Sequence, residues 1–227
     1  MNFDWISSDS GQHTLLLLLG WLSGILAVIL NDYIRISRET ALTKIAIRSE
    51  LEEISLKVAE NDHTMELNQG IVTRESLERY KTRLMSYSGS RQMREIIAEV
   101  KKWIDMSEAD FQSWLTASVE KNKIIVLQKM TVPLLDTRVA GLWHLKTELQ
   151  HHLLEIRAEV GVSNDLVDMS RTALTELLYK NNRDLSAPLA NTFQEIYTQF
   201  AKRTKILDGL VLTALADLKG VDRMVSP

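Results

Sequence analysis

Residues Leu15–Leu30 read LLLLLGWLSGILAVIL and contain no charged side chain. The eight leucines, two isoleucines and one valine of this stretch together favour insertion into a bilayer by about 3–7 kcal/mol. As a helix the stretch is about 24 Å long, and Thr14 together with residues 31–34 extends it to the roughly 20 residues that cross a membrane. The sequence therefore predicts a transmembrane helix over residues 14–34, after a short segment of residues 1–13.

Two alternatives to a membrane anchor are a buried helix of a soluble protein and a cleaved signal peptide. A helix that is apolar on every side would need a much larger protein around it than this chain of 227 residues provides. A signal peptide begins with basic residues and ends at small ones. Residues 1–13 instead hold Asp4 and Asp9 without a lysine or arginine, and the apolar stretch ends at Asn31-Asp32. We expect an uncleaved anchor.

The charges that flank the span predict its orientation. No lysine or arginine precedes it, whereas Arg35, Arg38, Lys44 and Arg48 follow it closely. Because basic flanks stay in the cytoplasm, we expect residues 1–13 outside the cell and the rest of the chain after the span in the cytoplasm. The expected location is the cell membrane (the inner or plasma membrane), crossed once.

Small residues recur four apart within the span, as Gly20 and Gly24 and as Ser23 and Ala27. This spacing lies on one helix face and lets two helices in lipid approach closely. We expect the spans to self-associate into a homo-oligomer.

Beyond the span, helical periodicity continues to the end of the chain. Residues 35–62 form a predicted juxtamembrane helix with an apolar face of Ile47, Leu51, Ile54 and Val58, and residues 61–70 are predicted to be a turn. Residues 71–227 form the predicted cytoplasmic domain. Its expected helices begin at Thr73, after the Ser88-Gly89-Ser90 stop, at Ser107, at Leu134, at Ser163 and at Ser186, with Gly161 ending the one that begins at Leu134. That helix has an apolar stripe of Leu142, Leu145, Leu149, Leu153, Ile156 and Val160. The fold class is all-α: one N-terminal transmembrane helix followed by a cytoplasmic bundle of about six helices.

The last predicted helix carries a regular 4-3 face that could pack within the domain or against a partner. The residues assigned to a partner or self-assembly surface are Phe193, Phe200, Arg203, Leu207 and Leu210. For Arg203 two interpretations are open: its side chain reaches the rim of the bundle, or it pairs with an acid on a neighbouring helix.

One set of residues has the spacing of metal ligands: His144, Glu148, His151 and Glu155 lie on one face of the helix expected after Leu134. The leucine stripe lies on another face, and no second helix offers a matching set. We therefore expect a solvated charged face, no bound metal and no other cofactor.

Other classes of chemistry lack their sequence signatures. The chain has no cysteine, which excludes disulfides, thiol catalysis and cysteine-ligated metals. Gly-rich phosphate loops and nucleophile-elbow motifs are absent from the sequence, and a net charge of −3 gives no basic excess for nucleic acid. We expect that the protein is not an enzyme.

Two hypotheses of function follow. In the first, the chain is a membrane-anchored interaction or scaffold module that self-associates and holds a cytoplasmic protein at the lipid bilayer. In the second, it is a pore-forming effector whose spans oligomerise when the cytoplasmic domain is triggered. A water-filled pore needs a polar stripe along the span, and this span offers only Ser23 and, at its ends, Thr14, Asn31 and Asp32. The first hypothesis is therefore favoured.

Overall fold

The computed structural model describes residues 9–87, 91–121, 127–137, 142–143, 145–180 and 186–222. All regular structure in this part of the chain is helical, as predicted, and it contains no strand. The helices are α1 (Asp9–Gln69), α2 (Arg74–Ser86), α3 (Arg91–Ile104), α4 (Glu108–Lys121), α5 (Pro133–Thr137), α6 (Thr147–Lys180) and α7 (Ser186–Asp222). Two compact units divide the chain: unit 1 spans Met1–Ile45, and unit 2 spans Ala46–Pro227.

Unit 1 consists, where it is described, of the N-terminal part of α1. Every large apolar side chain from Leu16 to Ile34 is exposed, and the exposed fraction of Leu17 reaches 76 %. Among the described residues, α1 is the one helix that is long and apolar enough to cross a membrane. The expectation of a candidate span near the N-terminus is confirmed at that level.

The main hydrophobic core of unit 2 lies between α1, α5, α6 and α7. The predicted face of α1 is buried in it, as is the whole predicted leucine stripe, joined by the C-terminal part of α7. The buried side chains are Ile47, Leu51, Ile54 and Val58 of α1; Leu142, Leu145, Leu149, Leu153, Ile156 and Val160; and Leu207, Val211, Ala214 and Leu218 of α7. The apolar periodicity of the sequence thus identified the core.

A second core lies between α1, α2, α3 and α4, around the fully buried Leu77, Leu84 and Val100. Two of the predicted helix starts in this region are confirmed by their capping hydrogen bonds. Thr73 caps α2, because its hydroxyl oxygen accepts from the Ser76 N–H at 3.1 Å. The Ser107 hydroxyl oxygen accepts from the Asp110 N–H at 3.2 Å in the same way at α4.

The segment 127–132 has no regular structure, yet side chains from two helices hold its backbone. Asn61 of α1 bonds both the N–H and the carbonyl of Gln128, at 2.8 and 3.0 Å. Asn164 of α6 does the same to Met130, at 2.9 and 2.7 Å. These bonds satisfy backbone groups that would otherwise be costly to remove from water.

The predicted turn over residues 61–70 is wrong except at its last residue. α1 continues to Gln69, with Asn61 and Met65 buried. Gly70 then ends the helix with φ +66°, a conformation that glycine adopts without the steric cost of a side chain.

The predicted helix over residues 134–160 and its stop at Gly161 are also wrong. Pro133 begins the short α5, and the next long helix starts only at Thr147. α6 then runs through Gly161, and Ser163 lies inside it as a fully buried residue instead of capping a new helix. An exposed glycine destabilises a helix by only about 1 kcal/mol. The buried apolar side chains of α6 on either side of it, such as Val160 and Val167, contribute more than that.

Candidate functional site

Unit 2 contains a cleft of 260 Å³, here called the Asp62 cleft, where α1, α2 and α7 meet. Its walls combine carboxylates, guanidinium groups, an imidazole and a phenol. The polar lining residues are Asp62, His63, Glu66, Gln69, Ser76, Arg79, Tyr80, Arg83 and Asp208.

Both arginines of the cleft already have acidic partners. Arg83 of α2 donates to Asp208 of α7 at 2.7 Å. Arg79 lies 3.6 Å from Glu66 and 3.2 Å from Glu75. The Arg83 pair is about one-quarter exposed and joins helices that are distant in sequence, so it contributes more than an ion pair on the open surface.

Asp62 is the carboxylate of the cleft that has no basic side chain within 4 Å among the described residues, and Arg79 acts on it only from farther away, lowering its pKa slightly. Among the described residues its one hydrogen-bond donor is the buried Thr204 hydroxyl of α7, at 3.0 Å. Burial is the main reason that the pKa of Asp62 rises from 3.8 to about 6, and the nearby Asp208 and Glu66 raise that pKa further. Burial likewise raises the pKa of Asp208, against the lowering effect of Arg83.

Aromatic rings form the side of the cleft next to α3 and α4. His63 stacks on Tyr80 at 4.6 Å between ring centroids and lies 6.2 Å from Trp103, which stacks on Trp114 at 4.9 Å. Burial lowers the pKa of His63 from 6.5 to about 4. Burial, with a smaller effect of Glu60, raises the pKa of Tyr80 to about 12. At neutral pH the side chains of His63 and Tyr80 are therefore uncharged.

Three of the four residues predicted as possible metal ligands lie in the described part of the chain. Glu148, His151 and Glu155 are exposed on α6, and His144 lies outside the described residues. No group of three or more histidine or acidic side chains that could hold a metal ion occurs in the part of the chain that the structure describes.

The predicted partner residues of α7 divide into buried and half-buried ones. Phe200 and Leu207 are fully buried in the cores of unit 2, so they stabilise this chain's own fold. Phe193 and Leu210 are half-buried. Of the two interpretations of Arg203, pairing is the one observed, because its guanidinium lies 3.1 Å from Glu159 of α6.

The small residues of the span, Gly20, Ser23, Gly24 and Ala27, are all exposed. An added Cβ at either glycine would meet nothing within 4 Å. This face of α1 therefore has no neighbour within the described chain.

Sequence reasoning missed the Asp62 cleft because the predicted turn removed residues 61–70 from α1. The signal was present in the spacing: the 4-3 series Ile47, Leu51, Ile54, Val58 continues to Asn61 and Met65 if an asparagine is accepted in a buried position. A helix through Met65 places Asp62 and Glu66 on one face, four residues apart.

Comparison with known proteins gives no relative: no protein-family model, no curated protein and no solved structure matches this chain.

Proposed function

We propose that the protein is a single-pass membrane anchor with a cytoplasmic helical bundle, which self-associates through its span and holds a cytoplasmic protein at the bilayer. Residues 1–13 would lie outside the cell, and the proposed role is binding, not catalysis. The observation that carries this proposal is that one helix, α1, contains both a stretch of exposed apolar side chains, Leu16 to Leu30, and buried residues of the main core of unit 2.

The apolar stretch supports a membrane location because its exposure to water would be very unfavourable. Burying apolar surface contributes about 25 cal/mol per Å², and large side chains from Leu16 to Leu30 are exposed together along the helix. A hydrocarbon environment removes this cost without any protein partner.

The second part of α1 supports a tether because the anchor and the domain share one helix. Ile47, Leu51, Ile54 and Val58 belong to the main core of unit 2 and follow the apolar stretch without a break in α1. A protein bound to unit 2 would therefore be kept at the membrane by the same chain that carries the apolar stretch.

Cysteine labelling tests the orientation, and the natural absence of cysteine makes each introduced thiol unique. Ser7→Cys reports the predicted outer segment, and Ser113→Cys reports an exposed position on α4. In intact cells an impermeant thiol reagent should label only the first variant, and both after lysis. Labelling of Ser113→Cys alone in intact cells would reverse the proposed orientation.

Self-association is tested by replacing Gly20 and Gly24 with leucine. Because the added Cβ meets no side chain or other helix of the described residues within 4 Å, loss of the oligomer would report a contact between copies. Ile25→Leu combined with Ile29→Leu is the matched control, since it places leucines four apart on the opposite face. Cross-linking in membranes should show oligomers for the wild type and the control only. Membrane depolarisation that requires Gly20 and Gly24 would instead support the pore-forming alternative.

A further inference from the structure

The charges of the Asp62 cleft do not balance. Glu66 faces it from α1, Arg79 and Arg83 from α2, and Asp208 from α7. Each of these four has an oppositely charged partner within 3.6 Å. Asp62 has none within 4 Å among the described residues, since the more distant Arg79 is already paired with Glu66 and Glu75, and the neighbouring His63 is neutral because burial lowers its pKa to about 4. An ionised Asp62 therefore gives the cleft one unmatched negative charge, in a place partly removed from water.

The form of the site selects among cations. Thr204 donates to one oxygen of Asp62, which leaves the other oxygen and a second lone pair of the first to accept from a ligand. The described residues offer no metal-binding group of three, which disfavours divalent ions with their six to eight oxygen ligands. An ammonium group needs only one strong acceptor and can direct its other N–H bonds to hydroxyls or water.

The volume of the cleft agrees with such a ligand. Its volume of 260 Å³ is several times the roughly 30 Å³ that one water molecule occupies, so the cleft is large enough for a small organic cation. An alkyl chain would lie against the apolar parts of the wall, Val58, Met65 and Ile71. The Tyr80 ring is also on this wall, and aromatic rings attract cations.

We propose that the Asp62 cleft binds an alkylammonium group, supplied either by a free amine or by a lysine side chain of a bound protein, with the Asp62 carboxylate as its counter-ion. The site lies within unit 2, so this inference is independent of the proposed anchor and orientation.

Calorimetric titration of the purified full-length protein with n-butylammonium chloride, at constant total chloride, tests the proposal. Saturable binding is expected, and Asp62→Asn should weaken it by about tenfold or more, since the asparagine keeps the Thr204 bond but carries no charge. Glu99→Gln is the matched control, because it removes an exposed acid of α3 that does not line the cleft. Circular dichroism verifies that both variants keep the helical fold.

A proton and an ammonium group compete for Asp62, which gives a second readout. Since the pKa of Asp62 is about 6, the affinity of the wild type should fall as the pH is lowered through 6, whereas any residual binding to Asp62→Asn should not follow that titration. No saturable binding at about 100 mM amine, or equal weakening in Glu99→Gln, would overturn the proposal, because nonspecific ion effects would then explain the heat. The peptide acetyl-Gly-Lys-Gly-amide separates the two sources: tighter binding than n-butylammonium identifies a protein lysine, and weaker binding identifies a free amine.

Discussion

Leu17 and Leu51 lie on the same helix, yet the first is 76 % exposed and the second 0 %. The sequences around them differ in the same way. Around Leu17 the helix is apolar on every side, whereas around Leu51 charged residues alternate with an apolar face in a 4-3 spacing. The distribution of apolar residues around the helix, and not their number, therefore distinguishes a surface that requires lipid from one that requires protein.

The largest effect is expected from charges in the first half of α1. Leu22→Arg combined with Leu26→Arg should cost about 6–8 kcal/mol of insertion free energy, as much as the whole stretch contributes. The variant should leave the carbonate-resistant membrane fraction. Leu42→Arg combined with Ile45→Arg is the control, since both side chains are exposed on the same helix beyond the span, and it should stay in that fraction. Retention of the first variant in membranes would remove the distinction between the two halves.

The next effect concerns the core half. Leu51→Ala should lower the free energy of unfolding by about 2–5 kcal/mol, because a fully buried leucine leaves a cavity. The same substitution at the exposed Leu42 should change it by no more than about 0.5 kcal/mol. Urea denaturation of the detergent-solubilised protein, followed by circular dichroism, compares the two. Equal effects would show that the burial pattern of α1 is wrong.

Substitution of Asp62, in the part of α1 that belongs to unit 2, is expected to stabilise the protein. The folded-state pKa of about 6 exceeds the ordinary 3.8, so the free energy of unfolding falls as the pH rises through this range and stays low above it. Asp62→Asn removes this penalty and should raise the free energy of unfolding at pH 7.5 by up to about 3 kcal/mol.

The pH dependence of the same variant sharpens the prediction. His63 acts in the opposite direction, because its folded-state pKa of about 4 lies below 6.5, and stability is lost as the pH falls between those values. The two residues nearly cancel in the wild type, whereas Asp62→Asn should lose stability steeply from pH 6.5 to 4.5 in urea denaturation. A flat profile for the variant would contradict the assignment of His63.

The smallest effect is expected from single glycines of α1. Gly70→Ala places a side chain at φ +66° with a Val119 methyl 3.4 Å away, and should destabilise unit 2 by about 1 kcal/mol. Gly20→Ala meets nothing within 4 Å in the other half and should leave the thermal unfolding midpoint unchanged. A larger shift for Gly20→Ala would show that the proposed contact between spans also stabilises unit 2.

The elements that could be predicted from the sequence are those whose buried faces are purely apolar. Ile47 to Val58 and Leu142 to Val160 were identified as packing faces, and all of them are buried. Thr73 and Ser107 were recognised as helix starts because their capping chemistry is local.

The errors occur where small polar residues occupy buried positions. Asn61 continues the buried face of α1, and Ser163 and Ser170 continue the buried face of α6. The exposed fraction of each of these three residues is 5 % or less. An asparagine or serine between apolar residues is typical of a helix end, and the sequence does not show that Asn61 will find the backbone of Gln128, 67 residues away. The α1 side of the Asp62 cleft was missed for the same reason, whereas its pairing of Arg83 with Asp208 could not be predicted because the two residues meet only in the folded chain.

The two asparagines that hold residues 127–132 have a consequence for digestion of the protein. A protease must bind several residues of extended backbone, and it reaches such a segment only when the segment opens. The connection between α4 and α5 contains Lys129, a trypsin site. Hydrogen bonds from the side-chain amides of Asn61 and Asn164 engage the backbone of the residues on both sides of it. This stretch without helix should therefore resist trypsin about as well as the helices that flank it.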